Sequence, residues 1–313
     1  MKVASIGECM IELKQAQGGV MPGLYSRWFG GDTLNTSVYL ARLGVAVDYI
    51  TALGDDPLSE EMIAGWREEG VGTAKVARLE GKLPGIYLIA TDATGERRFF
   101  HWRESAAARN LLDLPETDGL LQSLGSYDVV YLSAVTLSIY HETGRAKLLA
   151  ALHQARSAGA RIAFDTNFRV RGWPDLDVAR AVFRETFETS DIVLASTEDL
   201  LPLYPGESAD GLLAKIPGDE VVLRLAEPKS LVRAQGRIHV IEAAPLTAPV
   251  IDTTAAGDSF SAAYIAARLA GATPAEAAGA GHRLAGRVVC HPGAIIPRSA
   301  MPATSDIVPT PPR

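Results

Sequence analysis

Ile251-Asp252-Thr253-Thr254-Ala255-Ala256-Gly257-Asp258-Ser259-Phe260 joins a turn of small and polar residues to an apolar run, and it puts one carboxylate at the junction. The short side chains at Ala255, Ala256 and Gly257 let backbone N–H groups come close to a ligand. The first turn of a following helix leaves such donors unpaired, with a partial positive charge behind them. Phosphoryl transfer asks for that arrangement: donors aimed at the oxygens where charge gathers, and a group that orients or deprotonates the accepting hydroxyl, here Asp258. A carboxylate at a helix start can also serve only to complement the helix dipole. The local sequence leaves both roles open.

Outward from this stretch, strand-like and helix-like patterns alternate, which predicts an α/β fold with a central, mainly parallel sheet. Buried strands are expected at Val3–Ile6, Tyr49–Ala52, Val129–Leu132, Ile162–Phe164, Ile192–Leu194 and Val221–Leu223. Asp56-Pro57 is a cap followed by a first-turn proline, so a helix should run from Leu58 to Glu69, and another from His141 to Ser157. Between Val71 and Arg103 the pattern changes to alternation broken by Pro84-Gly85 and Asp92-Ala93-Thr94-Gly95-Glu96, which reads as a small β flap. The tail from Pro297, rich in proline, is expected to be irregular.

The 313 residues, 47% of them hydrophobic, suffice for one large α/β domain with a small appendage. The net charge of −7 and scattered basic residues argue against nucleic acid or an anionic membrane as partner. Only two cysteines occur, Cys9 and Cys290, and Met1-Lys2-Val3-Ala4-Ser5 leads straight into a strand, so a reduced, cytoplasmic protein is expected. No apolar stretch reaches the ~18 residues of a membrane helix. The P-loop pattern, zinc spacings and a G-x-S-x-G elbow are all missing from the sequence.

Four other stretches offer chemistry. Phe29-Gly30-Gly31-Asp32-Thr33-Leu34-Asn35-Thr36 precedes an apolar helix, either as a tight turn capped by Asp32 or as an open wall for a ligand. In Arg97-Arg98-Phe99-Phe100-His101-Trp102-Arg103, alternation sets Phe99, His101 and Arg103 on one face and Arg98, Phe100 and Trp102 on the other. Asp165-Thr166-Asn167-Phe168-Arg169 follows a buried strand, at the end where open α/β sheets hold ligands, although Asp165 could equally brace its loop. Ser196-Thr197-Glu198-Asp199 follows the next strand, as a ligand site or as a solvated helix start.

The 251–260 stretch resembles the carboxy-terminal D-T-x-G-A-G-D signature of the ribokinase-like (PfkB) carbohydrate kinases, with Ala255 where most members carry Gly. Its D-T-T-A-A-G-D-S-F-S form is similar to the 2-keto-3-deoxygluconate kinase branch. The resemblance extends from Ile6-Gly7-Glu8-Cys9-Met10-Ile11-Glu12-Leu13 to Gly293-Ala294-Ile295-Ile296-Pro297. It implies one doubly wound kinase domain over 1–313, its helices flanking the sheet, with a β-sheet lid formed mainly by about 12–35 and 71–105.

The resemblance also implies roles. Asp258 would be the catalytic base and Ala255, Ala256 and Gly257 the anion hole. Gly31, Asp32 and Asn35, from a G-G-x-x-x-N signature, would bind sugar hydroxyls. Tyr87, His101 and Arg103 would meet the substrate from the lid, with Arg103 on its carboxylate. Arg169, from a D-x-N-x-R pattern, would meet the acidic end of the substrate or polyphosphate. Ser196, Arg224, Ala226 and Gly257 would serve the nucleotide and Asp199 the metal, although Ala226 and Pro228 depart from the family's glycine-rich nucleotide loop. ATP and Mg2+ are the implied cofactors, with K+ a further candidate, and a homo-oligomer is expected from the flap edge. The activity implied is phosphorylation of the 6-hydroxyl of 2-dehydro-3-deoxy-D-gluconate; a fructokinase, a ribokinase or a catalytically weak sugar-binding regulator are the alternatives.

Overall fold

The structure, a computed structural model, describes residues 1–15, 24–91 and 97–308. The expected turn at 92–96 and Pro309, Pro311 and Pro312 of the tail lie outside the described residues. The strands are β1 Lys2–Ile6, β2 Met10–Gln15, β3 Tyr25–Gly30, β4 Ala46–Gly54, β5 Val76–Leu79, β6 Gly85–Thr91, β7 Arg97–Trp102, β8 Val129–Ser133, β9 Arg161–Asp165, β10 Ile192–Ser196, β11 Val221–Arg224, β12 Lys229–Ala234 and β13 Arg237–Glu242.

A nine-stranded sheet has the order β13-β12-β11-β10-β9-β8-β1-β4-β5, parallel from β11 to β5, with β12 and β13 returning antiparallel at one edge. Its central strands are apolar along their length because helices cover both faces. One face packs Phe164, Phe183 and Phe187, the other Tyr39, Trp66, Phe260 and Tyr264, all fully buried. Burying such a side chain contributes about 1.5–3 kcal/mol. All six strands expected from the sequence lie in this sheet.

The second sheet has four strands in the order β3-β2-β6-β7. Pairing is antiparallel at both edges and parallel between β2 and β6. Within the stretch read as a flap, β5 pairs with β4 in the large sheet, so the small sheet draws only on β6 and β7 from that region. Residue 31 opens the helix Asp32–Arg42, which belongs to the large layer.

Local signals act as the sequence indicates. Asp56 caps the helix Pro57–Glu68 by accepting from Leu58 N (2.9 Å) and Ser59 N (3.2 Å), and His141 caps Glu142–Ser157 through Nδ1, which accepts from Gly144 N at 3.2 Å. Asp32 is different: Gly31 holds the cap position of its helix, and no side chain caps it. Asp32 is left to look across the cleft.

In the large sheet β8, β9 and β10 run in parallel register, and Ser133 pairs with Asp165 and Asp165 with Leu194. Ser196 pairs with Arg224 on β11. The strands therefore deliver Ser133, Asp165, Ser196 and Arg224 to one edge, their carboxyl ends. The helix Ala256–Leu269 reaches the same edge with its amino end and packs along Pro274–Val288. That packing depends on Gly281, where a Cβ would stand 2.7 Å from the Phe260 ring. Gly281→Ala should therefore cost about 1–3 kcal/mol through overpacking, read as a lower urea midpoint at unchanged m-value.

Candidate active site

Asp258 sits in the first turn of the helix Ala256–Leu269 at the floor of the cleft between the two sheets, partly exposed. Asn35, from the helix Asp32–Arg42, donates through Nδ2 to its Oδ2 at 2.8 Å, and Thr36 donates to its backbone carbonyl at 3.2 Å. Burial pushes the Asp258 carboxyl up to about 8, and the charge of Asp32 adds to the rise; the Asn35 hydrogen bond and the Arg224 charge oppose it. A carboxyl of that kind is poised to take a proton near neutral pH.

The turn before it is unusual. Ala255 lies in the left-handed region at φ 60° and ψ 16°, a conformation that residues with a Cβ adopt at a cost of about 1–2 kcal/mol. No side chain caps the helix. Ala256 N already donates to Thr253 O (3.2 Å) and Ser259 N to Ala255 O (2.9 Å), which leaves Gly257 and Asp258 as the remaining first-turn donors. Of the three residues whose N–H groups the sequence offers as an anion hole, Ala256 is the one already engaged within the turn.

Asp32 accepts from Asn167 Nδ2 at 2.6 Å, which ties the start of one helix to the loop after β9. Asp165, buried, accepts from Ser261 Oγ at 2.6 Å, Arg224 Nη2 at 3.0 Å, Asn167 N at 3.3 Å and Tyr131 OH at 3.4 Å. Burial raises its carboxyl and the Arg224 charge works against that. Asp32, Asn35, Asp165, Arg224, Gly257 and Asp258 therefore form one connected floor.

A second group hangs beside it. Ser196 caps the short helix Thr197–Leu200 and donates through Oγ to Asp199 Oδ2 (2.7 Å), which also accepts from Thr166 Oγ1 (2.9 Å). Asp199 Oδ1 accepts from Phe168 N (3.1 Å) and Arg169 Nη1 (3.3 Å). Both oxygens are engaged by the protein, and among the described residues no cluster of His, Cys, Asp and Glu is arranged to hold a metal ion. Arg169 is largely exposed and turned to Asp199. Ala226 and Pro228 are exposed in the β11–β12 turn, while Arg224 points inward.

The small sheet supplies the roof. Tyr87 on β6 pairs with His101 on β7, their rings stacked at 5.8 Å with Phe99 alongside. Tyr87 donates to Glu12, and burial pushes its hydroxyl far up. Burial lowers the His101 imidazole, and the nearby Arg103 charge lowers it further, which favours the neutral ring. Arg103, just past β7, pairs with Glu8, whose side chain is 1% exposed. Arg103 Nε and Glu8 Oε1 are both buried without a hydrogen-bond partner. The sequence reading missed Glu8, Glu12 and Asn167. For the two carboxylates a signal existed: Glu8 and Glu12 interrupt the apolar run Ile6–Leu13, and charges in such a run must find partners.

The pfkB family carbohydrate kinase model matches residues 1–301. The chain belongs to that family. Its relatives include the 2-dehydro-3-deoxygluconokinases of Dickeya dadantii (strain 3937), 42% identical over 96% of this chain and 98% of that protein, and of Escherichia coli (strain K12), 41% identical over 96% and 99%. Among solved structures, the 2-dehydro-3-deoxygluconokinase of Thermotoga maritima shares the fold with a TM-score of 0.81 at 23% identity, over 95% of this chain and 96% of that one. The pfkB kinase described here is thus a doubly wound carbohydrate kinase with a small separate β-sheet.

The left-handed Ala255 makes a stability test of this pfkB site. Glycine ordinarily costs about 0.5–1 kcal/mol of chain entropy, yet Ala255→Gly should leave the protein as stable or up to about 1 kcal/mol more stable. Ala255→Val should lose more than about 1 kcal/mol, since β-branched residues are outliers there. Chemical denaturation of the three proteins checks both.

Proposed function

We propose that this kinase transfers the γ-phosphoryl group of ATP to the 6-hydroxyl of 2-dehydro-3-deoxy-D-gluconate, giving 2-dehydro-3-deoxy-6-phosphogluconate and ADP. The observation that carries the proposal is the near full-length similarity, at 41–42% identity, to proteins of that name. The site geometry agrees. Asp258 takes the hydroxyl proton as the substrate oxygen bonds to the γ-phosphorus and the bond from that phosphorus to the ADP oxygen breaks. Gly257 and Asp258 N–H groups stand where the equatorial oxygens gather charge. Asn35 fixes the carboxylate, and Gly31 and Asp32 bound the sugar. Magnesium entering with the nucleotide would supply charge neutralisation there, and Asp199, engaged by its own loop, offers it no free oxygen.

From the roof, Tyr87 and His101 offer a flat apolar wall with polar edges, and Arg103, 20% exposed and paired with Glu8, offers a cation. A sugar carboxylate suits that cation; a neutral sugar leaves it unused. Arg169 is the second cation for the phosphate or carboxylate end, and Ser196 and Ala226 belong to the nucleotide side. The aromatic residues Trp28, Phe100 and Trp102 are exposed on the small sheet, which supports pairing with a second copy. No described helix is long and apolar enough to cross a membrane, consistent with the proposed cytoplasmic location.

Coupled ADP release tests the proposal against the gluconate-derived acid, its galactonate epimer, fructose and ribose. The acids should give the highest kcat/KM; a preference for fructose or ribose would replace the proposal, and no turnover with any of them would favour a sugar-binding role.

Three further outcomes are expected. Asp258→Asn should lower kcat by about 10²–10⁴-fold. With the carboxyl at about 8, kcat/KM of the parent should climb through that pH as the base ionises. The raised carboxyl also stabilises the ligand-free fold through its retained proton; that contribution is present below the ordinary value of 3.8 and lost as pH rises through about 8, and Asp258→Asn should flatten the loss. A stability–pH series on both proteins reads it.

Removing Arg103 alone would leave Glu8 buried and unpaired, so the informative variant is Glu8→Gln with Arg103→Met. It should raise KM for the sugar acid by about 10-fold or more, with a far smaller effect on a neutral analogue. Equal losses for both would make Arg103 a structural residue.

A further inference from the structure

Arg224 stands in the sequence where a nucleotide-loop residue was expected, yet its side chain turns away from the exposed β11–β12 turn and is only 14% exposed. Its Nη2 donates to Asp165 at 3.0 Å, its Nε donates to the Ala195 carbonyl at 3.3 Å, and its guanidinium lies 5.6 Å from the Phe260 ring centroid. Nη1 is buried and has no hydrogen-bond partner. A Cβ on Gly257 would stand 2.8 Å from that Nη1, so the guanidinium lies directly against the first turn of the Asp258 helix.

We infer that Arg224 is a positioning residue for the catalytic carboxylate. From the end of β11 it braces the helix start at Gly257, and it supplies the cation that lets Asp258 ionise beside Asp32 and Asp165. The inference rests on the proposed role of Asp258 as base and adds what makes that role workable.

The charges around the site set the need. Asp258 faces Asp32 from the helix start, Asp165 from β9 and Arg224 from β11, with Asn35 donating to it, and its charge is felt by Tyr39, Tyr87 and Tyr131. Arg224 in turn faces Asp165, Asp199 and Tyr131, and behind it lies His282, whose ring is held down at about 4, by burial first and then by Arg224 itself, and so is neutral in the working range. Among the described residues, the cation that acts most on Asp258 is therefore Arg224. Like charges gathered in a desolvated cleft hold one another's protons, and a nearby cation offsets part of that rise. Arginine suits the position because one amino group can hold Asp165 while the other lies against Gly257; the compact ammonium of lysine cannot do both in a fixed plane.

The test uses the full-length chain and the pH dependence of kcat/KM with the sugar acid, followed by ADP release. Arg224→Met should move the acid limb about one pH unit or more towards alkaline, with kcat near neutral pH about tenfold lower or more and KM for the sugar acid little changed. Arg224→Lys, which keeps the charge but loses the planar contact with Gly257, should shift the limb less than Arg224→Met does. Because Arg224→Met leaves Asp165 unpaired and could unfold the chain, the fold-safe comparison is Asp165→Asn against Asp165→Asn with Arg224→Met. The second protein should again show the more alkaline limb. Coincident limbs in that pair would overturn the inference, as would a loss confined to KM for ATP, which would make Arg224 a nucleotide contact. Asp258→Asn keeps the two claims apart: if it retains turnover, the base assignment falls; if it is inactive while the limbs coincide, only the Arg224 inference falls.

Discussion

The cleft depends on gathering carboxylates that would repel one another in open water and are costly to bury. Asp32, Asp165, Asp199 and Asp258 come from four separate chain segments to the carboxyl edge of one sheet. Each is held by donors from a different segment: Asn167 for Asp32, Ser261 and Arg224 for Asp165, Thr166 and Arg169 for Asp199, and Asn35 for Asp258. The hydrogen bonds make the arrangement tolerable, and they also fix the relative positions of the elements that carry it. A parallel sheet is the natural host, because in-register strands end together and the ends are where polar groups can leave the apolar layer.

Within this floor the carboxylates are not equivalent. Asp199 has every oxygen occupied and acts as a knot between two loops, and Asp165 is a buried anchor for Arg224. Asp258 keeps a share of exposure and receives a single side-chain donor, and burial pushes its carboxyl up to about 8, so it carries a proton that can move near neutral pH. The left-handed turn at Ala255 belongs to the same design. It stores a modest backbone cost beside the group that must meet a phosphate, where the surrounding contacts over-determine the conformation.

The roof repeats the principle with fewer parts. Glu8 lies between β1 of the large sheet and β2 of the small one, and Arg103 follows β7, so their pair joins two of the places where the chain passes between the sheets. Glu12 and Tyr87 join neighbouring strands of the small sheet in the same way. Both contacts place polar groups that a substrate can use while keeping buried charge paired.

Much of the fold was legible in the sequence. Short apolar runs of β-strand length, separated by capped helices, leave a covered parallel sheet as the natural solution, and the strands appear where the runs are. Asp258 was legible because a small-residue turn before an apolar helix makes an anion site by backbone geometry alone. The edge strands β12 and β13 were less so: β13 is mostly exposed and carries no buried pattern, and β12 begins at Lys229, inside a stretch that reads as a loop. Which carboxylate stays free, which donor each one meets, and that Arg224 turns inward to Gly257 were decided only by tertiary structure. Those facts are contacts between residues distant in the chain, such as Asn35 with Asp258 and Arg224 with Asp165. Local sequence fixes periodicity and turns, because these act over a few neighbouring residues, whereas the balance of charge in a desolvated cleft depends on distances that exist only once the sheet is formed.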